Sequence, residues 1–234
     1  MNQWTRNFEK PAEGTCSWFF RHKAFVDWFT HKMQTKYCGL LWLKGKPGSG
    51  KSTLLKEAFS RTRMDMSGSD CHIASFFFNA KGESLEHSQT GMLRSIIYQM
   101  CSQNINLLGT SLDLAQKRRA LCGEDMTPWE EAELRDLVRS AIIKRRSIIF
   151  IDDIDECDSN AMRDVADSWR ETIKMVHRVE VELSVCLANR HFPAIAVNDC
   201  PEIIMENHNH PYIVEFVRRR LDLGMTSKPV DQQH

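Results

Sequence analysis

The chain has 234 residues, 42% of them apolar and 26% charged, enough for one large globular α/β domain with a small appendage. Its 31 Lys plus Arg balance 31 Asp plus Glu, so no global field draws it to nucleic acid or to an anionic membrane, and neither is expected as a partner. Eight cysteines without a C-x-x-C pair argue against a disulfide framework or a zinc site; with no apolar signal core and no 18-residue apolar run, a cytoplasmic location is expected.

Residues 1–16 read as a lead-in segment. Ser17 is placed to cap a helix through Phe29, in which Trp18, Phe25 and Phe29 share one face and predict packing on the core. The apolar run Leu40-Leu41-Trp42-Leu43 predicts a buried strand, and Thr53 to Phe59 predicts a helix. The polar stretch Asp65 to Asp70 breaks the chain. Cys71 to Phe78 then reads as a strand buried on both faces. Gly91 to Gln103 carries Leu93, Ile96, Ile97 and Met100 at helical spacing. Residues 104–127 show no clear pattern, and Pro128 is placed to open a helix ending near Lys144. Ser147 to Asp152 is a third strand, followed by a helix from Ser159 to His177. Strands over Val181–Ala188 and Glu202–Glu206 come next, then a helix from Pro211 to Leu223. Strands alternating with helices predict an α/β fold with a mostly parallel five-stranded sheet and helices on both faces. The basic clusters Lys117-Arg118-Arg119, Lys144-Arg145-Arg146 and Arg218-Arg219-Arg220 lie in or at the ends of helices and read as solvated faces.

One signature sits between the first strand and its helix. Gly45-Lys46-Pro47-Gly48-Ser49-Gly50-Lys51-Ser52 matches the phosphate-loop pattern G-x-x-x-x-G-K-[ST] at every fixed position. The glycines let the backbone turn its N–H groups inward, and the following helix adds free N–H donors and the positive end of its dipole. Lys51 would reach the outer phosphates, and the Ser52 hydroxyl would take a place on Mg²⁺. With Thr53, these residues are the candidate site for a nucleoside triphosphate, ATP or GTP.

The acidic run Asp152-Asp153-Ile154-Asp155-Glu156 follows the third strand, at the edge where ligands sit in open α/β sheets. Asp152 would hold Mg²⁺ through its water shell. Asp155 or Glu156 would orient or deprotonate a water attacking the terminal phosphate. Asn189-Arg190 ends the next strand, where an arginine fork suits phosphate oxygens. His208-Asn209-His210 reads as a turn rather than a metal pair.

The segments GTCSWFFRHKAFVDWF, LLWLKGKPGSGKSTLLK, SFFFNAKG, GMLRSIIYQM, IIFIDDIDECD, ANRHFP and IIMENHN, in that order, resemble the NACHT-type nucleotide-binding domain of the signal-transducing (STAND) P-loop NTPases. They most resemble its fungal branch, found in NOD-like receptors and vegetative-incompatibility proteins, and the resemblance spans about residues 13 to 221. It implies a three-layer P-loop NTPase core over residues 17–210, with residues 211–234 as the start of a helical lid and tail. It also implies that strand 181–188 lies between the phosphate-loop strand and the Asp152 strand. Asp152 matches the metal-linked acid, and Asp155 and Glu156 match the downstream acids, Asp155 being the favoured catalytic one. Arg190 matches the sensor arginine, and Gly14-Thr15-Cys16 the segment passing near the base. Asp153 departs from the small residue usual after the metal-linked acid, and Ala188-Asn189-Arg190 lacks the usual hydroxyl donors.

The implied activity is a slowly hydrolysing signalling switch that self-associates or co-assembles with related NACHT proteins. A non-hydrolysing scaffold or truncated receptor piece is the alternative. A small-molecule kinase fits less well, because acids past the third strand suit activated water.

Overall fold

The computed structural model describes residues 16–31, 39–109, 111–112, 116, 129–157, 161–191, 200–210, 212–214, 217–218 and 221. The apolar runs form strands β1 Leu40–Lys44, β2 Cys71–Phe77, β3 Arg146–Asp152, β4 Leu183–Asn189 and β5 Glu202–Ile204. They make one five-stranded sheet in the order β2-β3-β4-β1-β5, with every neighbouring pair parallel. β4 therefore lies between β1 and β3, as the resemblance implies. The helices are α1 Lys23–Phe29, α2 Lys51–Asp65, α3 Gln89–Gln103, α4 Glu131–Ile142 and α5 Ala161–His177.

Strand residues alternate between faces, and this alternation splits the interior in two. Leu40, Trp42, Ile149 and Ile151 meet α3, α4 and α5 in one core. Leu41, Leu43, Ile148 and Phe150 meet α1 and α2 in the other. The result is the three-layer P-loop NTPase core, with helices on both faces of the sheet. Trp42 is fully buried, and its ring N–H donates to Asn189 Oδ1 at 2.8 Å, which ties β1 to the end of β4.

Local differences from the sequence reading have local causes. The first helix is broken: residues Phe19–Arg21 form a 3-10 turn, His22 is extended, and α1 starts after it. His22, not Ser17, supplies the cap, its Nδ1 accepting from Ala24 N at 3.2 Å, while Ser17 Oγ receives Arg21 Nη2 at 3.0 Å. Of the expected face Phe25 is buried while Trp18 and Phe29 are half-buried, and the break lets Phe19 and Trp28 fill the α2 side of the sheet as well. α4 is closed at its start by Glu130, whose N–H donates to Glu133 Oε2 at 2.8 Å. β4 begins two residues later than expected because Val181 N still bonds back to Val176 O at 3.3 Å. β5 ends at Ile204, and Met205–Asn207 turn as a 3-10 segment instead of extending the strand. The readings on residues 1–15, Pro128, Ser159, Pro211 and most of 104–127 and 211–234 fall outside the described residues.

The outer edge of β2 is covered by side chains. Gln99 Oε1 accepts from Ser75 N at 3.0 Å, and its Nε2 donates to Ser75 O at 2.8 Å. Gln103 does the same for Ile73, at 3.0 and 2.8 Å. Both glutamines belong to α3, so this helix satisfies backbone groups that an edge strand otherwise leaves open.

His72, also on β2, is 1% exposed, and neither ring nitrogen has a hydrogen-bond partner. Burial, then the Arg145 charge, lowers its pKa to about 4, with Asp70 opposing. The folded state thus favours the neutral ring. Its stabilising contribution is complete above the unfolded value near 6.5 and is lost as pH falls through that window towards 4. The melting temperature is expected to drop between pH 6.5 and 4, and His72→Leu is expected to flatten part of that slope. Identical slopes for the two proteins in a pH series of thermal melts rule out this origin.

Candidate functional site

The loop between β1 and α2 is shaped by its glycines and by what it packs against. Gly48 and Gly50 have φ of 75° and 89°, left-handed backbone that favours glycine. Gly45 is constrained differently: a Cβ there would lie 2.6 Å from Ser49 Oγ and 2.9 Å from Met205 Cβ. Gly50 caps α2 without a side-chain hydrogen bond, so the N–H groups of the first turn are not consumed by a capping side chain. Lys51 is 5% exposed, and its Nζ donates to Gly45 O at 2.9 Å and Lys46 O at 3.3 Å. The ammonium thus lies inside the turn of the loop. Lys46, Pro47 and Gly48 are exposed, while Ser52 and Thr53 are half-buried at the start of the helix.

Asp152 ends β3 and is fully buried. Its Oδ1 accepts from Asp153 N at 2.9 Å, whereas Oδ2 has no hydrogen-bond partner. Burial, then the neighbouring Asp153 charge, pushes its pKa up to about 7, against the Ser52 hydroxyl, the Asp153 N–H and the Lys51 charge. An unpartnered buried carboxylate oxygen is costly unless a proton or a cation meets it. Ser52 Oγ lies 3.4 Å from Asp153 Oδ2. No group of three or more His, Cys, Asp or Glu gathers as a metal cage among the described residues. One hydroxyl and few carboxylates suit Mg²⁺, which keeps waters and takes further ligands from a bound phosphate.

Asp153, whose charge departs from the NACHT pattern, has φ of 49°. Left-handed backbone at a non-glycine residue costs about 1–2 kcal/mol. Its pKa is raised by burial, then by Glu156 and Asp155. Lys56, one turn beyond Ser52 on α2, was not foreseen. Burial lowers its pKa to about 8, and Asp152 and Asp153 counteract that effect. Its i, i+4 relation to Ser52 was the available signal.

Asp155, Glu156 and Arg190, each expected at the terminal phosphate, meet one another. Arg190 Nε lies 3.3 Å from Asp155 Oδ2, and Arg190 Nη2 is 2.6 Å from Glu156 Oε1. The Arg190 N–H donates to Asp155 Oδ1 at 3.1 Å. Glu156 Oε2 accepts from Ala80 N at 3.1 Å, just past β2. The cluster thus joins the C-terminal edges of β2, β3 and β4. Asn189 is fully buried, holding Trp42 with its side chain while its backbone O accepts from Gly45 N at 3.3 Å. It supports the loop from behind.

A second support is one the sequence reading missed. Glu206 Oε1 accepts from the Lys46 N–H, and Glu206 Oε2 lies 3.1 Å from His191 Nε2. Burial raises the Glu206 pKa, but the N–H groups of Lys46 and Glu206 with His191 outweigh it and hold the carboxyl below its usual range. Asn209 Nδ2 donates to Ser49 O at 2.7 Å. His208 stacks on Trp18 at 4.8 Å between ring centroids, and His22 meets His208 edge-on at the same distance. These partners are far apart in sequence, so no local pattern announces them.

The profile of the Nephrocystin 3, N-terminal family matches residues 14–190, more than half of the chain. The chain belongs to that family. The matched span takes in the loop, the acidic run and Arg190. Residues 205–209, which hold the loop from the other side, lie beyond the matched span. No curated protein matches the sequence. Among solved structures, the ORC1 protein of Aeropyrum pernix in complex with DNA is similar at 11% identity and a TM-score of 0.49, over 95% of this chain and 52% of that one. A Walker-type ATPase of Pyrococcus abyssi is similar at 11% identity and a TM-score of 0.46, over 94% and 60%. PCH-2 of C. elegans is similar at 10% and 0.42, over 81% and 40%. The chain spans about half the length of the solved chains it matches. No helix among the described residues is long and apolar enough to cross a membrane.

Proposed function

We propose that the chain is a nucleotide-binding module of the NACHT type that holds ATP or GTP with Mg²⁺ and acts as a slowly hydrolysing switch. The observation that carries this reading is the unpartnered, fully buried Asp152 Oδ2, next to the Asp153 carboxylate that Ser52 Oγ meets at 3.4 Å, with a glycine loop that encloses Lys51. In this proposal Gly45 to Thr53 bind the phosphates, and Ser52 and Asp152 hold the metal. The ion would neutralise charge on the outer phosphates. Asp155 or Glu156 positions the attacking water, and Arg190 responds to the terminal phosphate.

The Asp155–Arg190–Glu156 cluster supports slow turnover, because both acids are engaged by the arginine. Hydrolysis then requires Arg190 to turn from the acids to the phosphate, a two-state rearrangement biased by the nucleotide. The same cluster favours the alternative of a non-hydrolysing scaffold, in which that turn never occurs. The finer setting belongs to the proposal as well: a cytoplasmic protein of the fungal NOD-like receptor or incompatibility type, self-associating or co-assembling with related NACHT proteins. Residues 17–210 form the nucleotide-binding domain in this reading, and residues 211–234 begin its lid.

The test is direct. Denaturing the purified protein and separating the released small molecules by chromatography is expected to yield an adenine or guanine nucleotide. Calorimetry on nucleotide-stripped protein is expected to show triphosphate binding that needs Mg²⁺. A protein that releases no nucleotide and gives no binding heat with ATP or GTP would sink the proposal.

A further inference from the structure

We infer that Glu206 is a positioning residue that couples the shape of the phosphate loop to the outgoing edge of β4. This rests on the nucleotide-binding reading and deepens it by assigning a regulator of that site. One carboxylate bridges two segments: the N–H of Lys46, the first variable residue of the loop, and the ring of His191, the residue after Arg190. The same 3-10 turn touches the loop twice more. Met205 packs so close to Gly45 that no side chain fits there, and Asn209 reaches from just past the turn to hold Ser49 O at 2.7 Å.

The loop start and centre are thus held by residues 205–209 rather than by the loop alone. A charge-assisted hydrogen bond fixes direction as well as distance, so movement of the loop on taking up phosphate is transmitted through Glu206 to His191. Arg190 is the neighbouring residue and is itself held by Asp155 and Glu156. A loop that accepts any phosphate chain therefore shares one carboxylate with the edge that would distinguish triphosphate from diphosphate. Two residues past Glu206, His208 stacks on Trp18 beside the 3-10 turn Phe19–Arg21.

The experiment measures Mg-ATP, Mg-ADP, Mg-GTP and Mg-GDP affinities by calorimetry for the wild type, Glu206→Ala, Glu206→Gln and His191→Ala. Glu206→Ala is expected to weaken triphosphate binding about tenfold or more and to narrow the triphosphate-to-diphosphate ratio. Glu206→Gln is expected to restore most of both, since its amide can accept from Lys46 N and donate to His191. A role in packing alone would weaken both nucleotides by the same factor and leave the ratio intact. His191→Ala, which spares the Lys46 contact, is expected to narrow the ratio more than it lowers diphosphate affinity, and it decides the matter if Glu206→Ala fails to fold. Wild-type ratios in both Glu206→Ala and His191→Ala, or in His191→Ala alone when the other is unfolded, overturn the coupling. A wild type that binds none of the four nucleotides overturns the nucleotide reading first, and this inference with it.

Discussion

Lys51→Ala is expected to abolish nucleoside-triphosphate binding, with a loss of 100-fold or more. Three effects act together. The variant removes the one cation enclosed by the loop's own turn, where Lys51 is 5% exposed. It leaves Gly45 O and Lys46 O without the ammonium that joins them. It also removes a charge-assisted contact to the outer phosphates, worth about 1.5–3 kcal/mol for each hydrogen bond to a charged group. The loop would lose its organiser and the ligand its counter-charge in one substitution. Calorimetry with Mg-ATP and Mg-GTP reads the result, and wild-type affinity in the variant means that the phosphate loop is not the binding site.

The second large effect separates metal binding from chemistry. Asp155→Asn is expected to retain nucleotide and to lose turnover by about 100-fold or more, the usual worth of a positioned acid or base. Asp152→Asn is expected to bind nucleotide with little dependence on Mg²⁺. It also removes a carboxylate whose folded pKa lies well above its unfolded value. Such a group favours the fold most at low pH, and its contribution is lost as pH rises through the folded value near 7. Without Mg²⁺, Asp152→Asn should therefore melt no lower than the wild type at pH 8, and the Mg²⁺-dependent rise in melting temperature should disappear. Wild-type turnover itself is expected to lie well below about 10 per second. If Asp155→Asn releases phosphate at the wild-type rate, the role passes to Glu156 or to neither acid. If Asp152→Asn keeps the full Mg²⁺ dependence, the metal lies elsewhere.

The strands and the loop were legible because each is announced by contiguous residues. Leu40 to Leu43 is apolar without a break, and the phosphate-loop pattern is fixed by spacing alone. The order of the strands was legible only through the resemblance, since no residue in Val181 to Ala188 says which neighbours it will take. The break at His22 was not legible: a ring nitrogen closing on Ala24 N looks, in sequence, like any residue within a helix. The closure of Arg190 onto Asp155 and Glu156 was equally hidden. Opposite charges 34 residues apart suggest a pair only once β3 and β4 are known to be neighbours. Glu206 was read as the end of a strand because the loop that turns its carboxylate inward lies 160 residues away.

The glutamines along β2 show how a helix can stand in for a missing strand. Four residues of α-helix advance about 6 Å and two residues of strand about 6.6 Å, so side chains at i and i+4 on one can serve residues at j and j−2 on the other. Gln99 with Ser75 and Gln103 with Ile73 use that near-coincidence, each amide presenting the donor and acceptor that a neighbouring strand would offer. Another chain seeking to extend the sheet at this end must first strip away four hydrogen bonds supplied from within. Growth of the sheet into a fibre is thereby blocked at one border by side chains that cost the helix almost none of its propensity, glutamine being a good helix former.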